Sequence, residues 1–165
     1  MKPLSLSVLS IAVLLSISWS AVAAPLKACS LISSQTASAV LGATVSAGQE
    51  QSLPLAGEQC VFSHEDPAAP SELAFGIIDV NAMASELGGS AADVLRVIKQ
   101  SDPAETTETI PSLGEWNSYT RSGLGAIKLT VLYHGHVLSL GVDVSKNPHL
   151  KTDLVQAMRQ IIQKF

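Results

Sequence analysis

AIKLTVLYHGHVLSLGVDV, residues 126–144, decides the fold, because the pattern specifies its own pairing. With His134-Gly135 as a two-residue turn, glycine falls where a positive φ is wanted. Val131 then opposes Leu138, Leu129 opposes Leu140 and Ile127 opposes Val142. All six share one face, while Thr130 and Ser139 meet on the other. A slip of one residue would turn every apolar side chain to the wrong side, so the register is strongly determined.

Downstream of this hairpin lies a helix. Asn147 offers a cap, Pro148 suits the first helical position, and Leu150, Leu154, Met158, Ile161, Ile162 and Phe165 form an apolar stripe. Lys151, Arg159 and Gln160 fall on the opposite, solvent-facing side. Upstream, Trp116 to Arg121 reads as a strand, preceded by the turn-rich Ile110-Pro111-Ser112-Leu113-Gly114. Residues Ser101 to Thr109 are polar and acidic, a loop or an edge strand.

A middle helical region opens at Asn81 with Met83 and Leu87, and Gly88-Gly89 interrupts it. Ser90 with Asp93 is a capping-box variant, followed by Val94, Leu95, Val97 and Ile98 as an apolar stripe. Before it, Glu72 to Val80 reads as a strand with Leu73, Phe75 and Ile77 on one face. Gln59 to His64 reads as another, with Cys60 and Phe62 on one face, and Asp66 to Pro70 forms the turn between them. Thr44 to Leu53 is a weak strand. Ser33 to Thr36 offers caps for a short helix over Ala37 to Leu41, closed by Gly42, with Leu31 and Ile32 poised to staple onto it. The order of helix, strands, helix, strands, helix predicts an α+β fold. It is an antiparallel sheet packed by a short N-terminal helix, a middle helix and a C-terminal helix.

Residues 1–24 read as an export signal. Met1-Lys2 gives a positive start, Leu4 to Trp19 an apolar stretch, and Ala21-Val22-Ala23 a small-x-small cleavage pattern. Removal would leave a single domain over residues 25–165, long enough for one core. No later segment approaches the roughly 18 apolar residues of a membrane span, so no transmembrane anchor is expected after cleavage. The mean hydropathy of +0.32 owes part of its value to the leader. The net charge is −4, and the basic residues from Lys27 to Lys164 are scattered rather than striped, which argues against a nucleic-acid partner.

Export changes the reading of the two cysteines, Cys29 and Cys60. In an oxidising compartment they are expected to pair as a structural disulfide. The alternative is a lipid anchor on Cys29, since Leu26-Lys27-Ala28-Cys29 partly resembles a lipobox; Lys27 is charged where that motif is small or apolar. No C-x-x-C suggests redox chemistry. The protein is thus expected in the periplasm or outside the cell.

Cys29-Ser30-Leu31-Ile32, then Ala39, Leu41-Gly42 and Cys60 followed by an aromatic, resembles the secreted bacterial domain-of-unknown-function 3558 type. Ile110-Pro111-Ser112-Leu113-Gly114-Glu115 resembles its later Gly-Leu-Gly-Asp segment, with Ser112 where a glycine is common. The resemblance implies a secreted α+β domain with no established activity, and it supplies no catalytic residues.

A search for chemistry yields little. Arg121-Ser122-Gly123-Leu124-Gly125 shares only glycines with a nucleophile elbow, and Gly123-x-Gly125 does not run from a strand into a helix. Glu105, Glu108 and Glu115 read as solvated loop carboxylates. His134-x-His136 has ligand-like spacing and gives the alternative of a small periplasmic metal-binding protein, although the hairpin places His134 in the turn and His136 opposite Tyr133. Trp116 and Tyr119, beside glycine-rich segments, are the candidate partner-binding aromatics, with core packing as the competing role. The reading is an exported, non-catalytic domain with no cofactor, binding a protein or an envelope component.

Overall fold

A computed structural model describes residues 26–66, 71–100, 106–143 and 147–165. The leader at 1–24, most of the turn at 66–70 and the first half of the segment at 101–109 lie outside the described residues. Among the described residues the protein is an α+β fold, with seven strands in one sheet and five helices.

The elements run α1 (Ala28–Leu31), α2 (Ser34–Leu41), β1 (Gln49–Leu53), β2 (Gly57–Ser63), β3 (Glu72–Asp79), α3 (Val80–Leu87), α4 (Ala91–Gln100), β4 (Thr106–Glu108), β5 (Trp116–Arg121), β6 (Ile127–Tyr133), β7 (His136–Val142) and α5 (Leu150–Ile162). The sheet order is β1-β2-β3-β7-β6-β5-β4, and every neighbouring pair is antiparallel.

The β6–β7 hairpin has the register its sequence demands. Val131 faces Leu138, Leu129 faces Leu140, Ile127 faces Val142 and Thr130 faces Ser139. His134 and Gly135 form its turn, with φ of 46° and 76°. Both central residues are left-handed, the twist that suits a two-residue hairpin. β7 then pairs with β3, so the hairpin is the centre of the sheet and not an appendage.

Pairing carries the apolar alternation of each strand across the sheet. Cys60, Phe75, Leu140 and Leu129 form one row, and Phe62, Leu73, Val142 and Ile127 form the next. Phe75, Leu140 and Leu129 are fully buried, and each such side chain contributes about 1.5–3 kcal/mol relative to exposure. Ala28 and Leu31 of α1, Val40 of α2, and Leu154, Met158 and Ile161 of α5 share this cluster. A second, smaller cluster joins Val80, Ala84 and Val94 to Leu132 and Val137.

Local chemistry sets the helix ends. The Ser33 hydroxyl accepts from the Thr36 N–H, and Gly42 closes α2 at φ 69°. Asp79 caps α3, so this helix begins one residue earlier than Asn81. Ser90 Oγ accepts the Asp93 N–H and donates to Asp93 Oδ2. The return bond of the expected capping box therefore goes to the hydroxyl rather than the backbone. That bond, with the nearby Arg96 guanidinium, holds the Asp93 carboxyl below the usual carboxylate range.

Two expectations are corrected. Val97 is exposed, because at about 100° per residue it falls off the stripe centred on Val94, Leu95 and Ile98. The helix α5 starts at Leu150, two residues later than Pro148, while Asn147 Oδ1 accepts the His149 N–H at 2.8 Å, a cap-type bond at the turn before the helix. The Asn147 Nδ2 also donates to the carbonyls of Ala39 and Val40 and to Asp153 Oδ2, tying the end of α2 to the start of α5.

Candidate functional site

A cleft of about 520 Å³ opens at the end of the sheet where the β1–β2 turn, the end of β3, the start of α3 and the start of β7 meet. Leu26, Leu53, Ala56, Ile77 and Ala82 supply apolar wall. Glu58, Asp79, His136 and Ser52 supply its polar groups.

Pairing explains why these groups converge. Glu58 lies opposite Ile77, and Asp79, two residues on, lies opposite His136. Period-two alternation therefore turns all four side chains to one face of the sheet. Ser52 opposite Glu58 adds a fifth group from the edge strand. The lip is the turn at residues 54–56, where Leu55 and Ala56 take left-handed backbone at φ 61° and 57°. Consecutive non-glycine residues in that region store strain. The Ala56 carbonyl accepts the Asp79 N–H at 3.4 Å, which fastens the lip to the cleft wall.

The hydrogen bonds set the site's polarity. Asp79 Oδ1 accepts the N–H groups of Asn81 and Ala82 at 2.9 and 3.0 Å. Its Oδ2 faces His136 Nε2 at 4.0 Å. His136 Nδ1 lies 3.1 Å from the His134 carbonyl, which can only accept, so Nδ1 carries the ring proton in this arrangement. Ser52 Oγ donates to Glu58, at 3.2 and 3.3 Å from its two oxygens, and does not approach the imidazole as a serine nucleophile would.

The residues singled out in the sequence lie elsewhere or play other parts. Cys29 in α1 is bonded to Cys60 in β2 across 31 positions, the pairing the sequence predicts. The bonded sulfur leaves no Cys29 thiol for a lipid. Glu50 accepts the Cys29 N–H beside this bridge.

Trp116 and Tyr119 stand three residues apart on one strand and so point to opposite faces. Trp116 is half-buried beside the α3–α4 cluster with Lys99 Nζ 5.3 Å from its ring. Tyr119 is buried in the main cluster with Lys151 over its ring. The two do not share a surface.

His134 stacks on Tyr133 with centroids 4.1 Å apart, while the His136 ring lies 5.3 Å from Phe165. Among the described residues no group of three or more His, Cys, Asp or Glu side chains is placed to hold a metal ion. The cleft itself escaped sequence reasoning, because Asp79 read there only as a strand residue and Glu58 fell between two strands. The one available signal was Pro54-Leu55-Ala56-Gly57, a turn without glycine at two left-handed positions.

No family model matches the chain, and neither does any curated protein or any solved structure.

Proposed function

We propose that residues 25–165 form an exported, non-catalytic α+β domain that binds a protein or envelope component through the cleft at the β1–β2 turn. In this reading a short N-terminal helix, a middle helix and a C-terminal helix pack the sheet, and the Cys29–Cys60 bridge staples the N-terminal layer to it. The observation that carries the reading is the cleft: an apolar concavity with convergent polar groups, and a strained lip tied to its wall. The disulfide supports export, since such bonds persist in oxidising compartments. The likeness of the Cys29 to Gly42 segment and Cys60 to the domain-of-unknown-function 3558 type supports the same placement.

The test is capture of a partner by the purified protein and by Ala82→Phe, which fills the cleft from the first turn of α3. A partner held by the parent and lost by the variant, with an unchanged circular dichroism spectrum, is the expected result. Equal retention by both removes the cleft from the interface. Hydrolytic turnover abolished by one polar substitution would remove the non-catalytic reading.

A further inference from the structure

The chemistry of the cleft wall selects its occupant. We propose that the cleft takes a small amphiphilic cation, with an ammonium head facing the carboxylates of Glu58 and Asp79 and an apolar body against Ile77, Leu53 and Ala82. The inference rests on the cleft being the binding site and adds the class of ligand.

Charge complementarity is the first argument. The described lining holds two carboxylates and no lysine or arginine. An anion would meet repulsion there, with no lysine or arginine to offset it. Hydrogen-bonding capacity is the second. Glu58 receives one hydroxyl proton shared between its two oxygens, which leaves most of its acceptor sites open. Asp79 Oδ2 has His136 Nε2 at 4.0 Å, beyond a hydrogen bond. The open valences of both carboxylates are therefore acceptors. A primary ammonium carries three donors and no acceptor, and it matches such a set better than an alcohol or a carboxylate. Size is the third. About 520 Å³ lies within the range of small-molecule sites, and the aliphatic wall favours an alkyl or aryl body over a bare metal or ammonium ion.

The test follows backbone amide resonances of the purified protein during titration with octylammonium chloride, octanol and sodium octanoate at pH 7.5. Octylammonium is expected to shift resonances of Leu53, Ile77 and Ala82 and to bind about fivefold more tightly than octanol, with octanoate weakest. Glu58→Gln is expected to weaken octylammonium more than octanol and so to reduce the preference. Asp79→Asn keeps an acceptor for the α3 cap and weakens octylammonium alone. If octanol binds as tightly as octylammonium, or if Glu58→Gln leaves the preference intact, the cation assignment is overturned while the cleft stands as a binding site. If none of the three shifts a cleft resonance at up to about 10 mM, the cation assignment is overturned, and the cleft as a partner site is decided separately by the Ala82→Phe capture.

Discussion

Replacing Asn117 with alanine removes three buried hydrogen bonds in one step. Asn117 sits on β5, 5% exposed, and its side chain clips the preceding turn. Its Oδ1 accepts the Ile110 N–H at 2.7 Å, and its Nδ2 donates to the carbonyls of Ile110 at 2.9 Å and Leu113 at 2.7 Å. At about 1 kcal/mol for each bond, with no water able to replace the partner inside, Asn117→Ala should lose about 3 kcal/mol. For a domain of this size that lowers the Tm by about 10 °C. Urea denaturation should show a reduced midpoint at an unchanged slope. Asn117→Asp separates hydrogen bonding from packing, since it retains an acceptor for Ile110 but turns a carboxylate toward two carbonyl oxygens. That environment raises the folded-state pKa of the new carboxyl. The penalty is absent below the unfolded pKa of about 3.9 and grows as pH rises toward the folded value, so this variant should gain stability relative to the parent on acidification. A loss below about 1 kcal/mol for Asn117→Ala, or no pH dependence in the difference between Asn117→Asp and the parent, would refute the clip.

Four further outcomes follow from single features. Reducing the Cys29–Cys60 bond opens a 31-residue loop and should cost about 4 kcal/mol, read as a Tm drop with dithiothreitol; free thiols in non-reducing mass spectrometry would contradict the bridge. Gly114 has φ 69°, and a Cβ there would meet the Leu132 carbonyl oxygen and Val131 Cγ1 at 2.5 Å. Gly114→Ala should therefore cost more than about 2 kcal/mol, against a neutral or stabilising Gly89→Ala, where a Cβ meets nothing within 4 Å. Ser112 holds φ 59°, so Ser112→Gly should gain about 0.5 kcal/mol in chemical denaturation. Thr130 is 3% exposed with no partner for its hydroxyl among the described residues, and Thr130→Val should raise stability by about 1 kcal/mol.

The resemblance-bearing segment Ile110 to Glu115 gains a physical account from these contacts. Leu113 is buried, Gly114 lies where backbone and a valine methyl leave no room, and the Glu115 N–H donates to the Leu132 carbonyl. Glu115 Oε1 also accepts the His134 N–H, so the segment braces the central hairpin turn. Its residues therefore build structure, and the open polar groups lie at the other cleft.

The β6–β7 register was legible because period-two alternation and a turn glycine lie within seventeen residues and admit one pairing. The strand faces of Cys60, Phe62, Leu73, Phe75 and Ile77 were legible for the same reason, and so was the apolar stripe of α5. The start of α5 was not. Asn147 accepts the His149 N–H as a cap would, but the helix begins only at Leu150, and the Asn147 Nδ2 serves carbonyls 107 and 108 positions away, contacts no local pattern encodes. The partner-binding role considered for Trp116 and Tyr119 meets strand geometry, which sends them to opposite faces of the sheet.

By itself the sequence determined the local grammar: helix and strand periods, the hairpin register, and which two cysteines were available to pair. These follow from neighbours within a few residues. Only the tertiary structure decided that Leu26, Leu53, Glu58, Ile77, Asp79 and His136 border one concavity. That depends on strand order, above all on β3 taking β7 as its second neighbour beside β2, and no local period encodes the order in which paired strands are laid side by side.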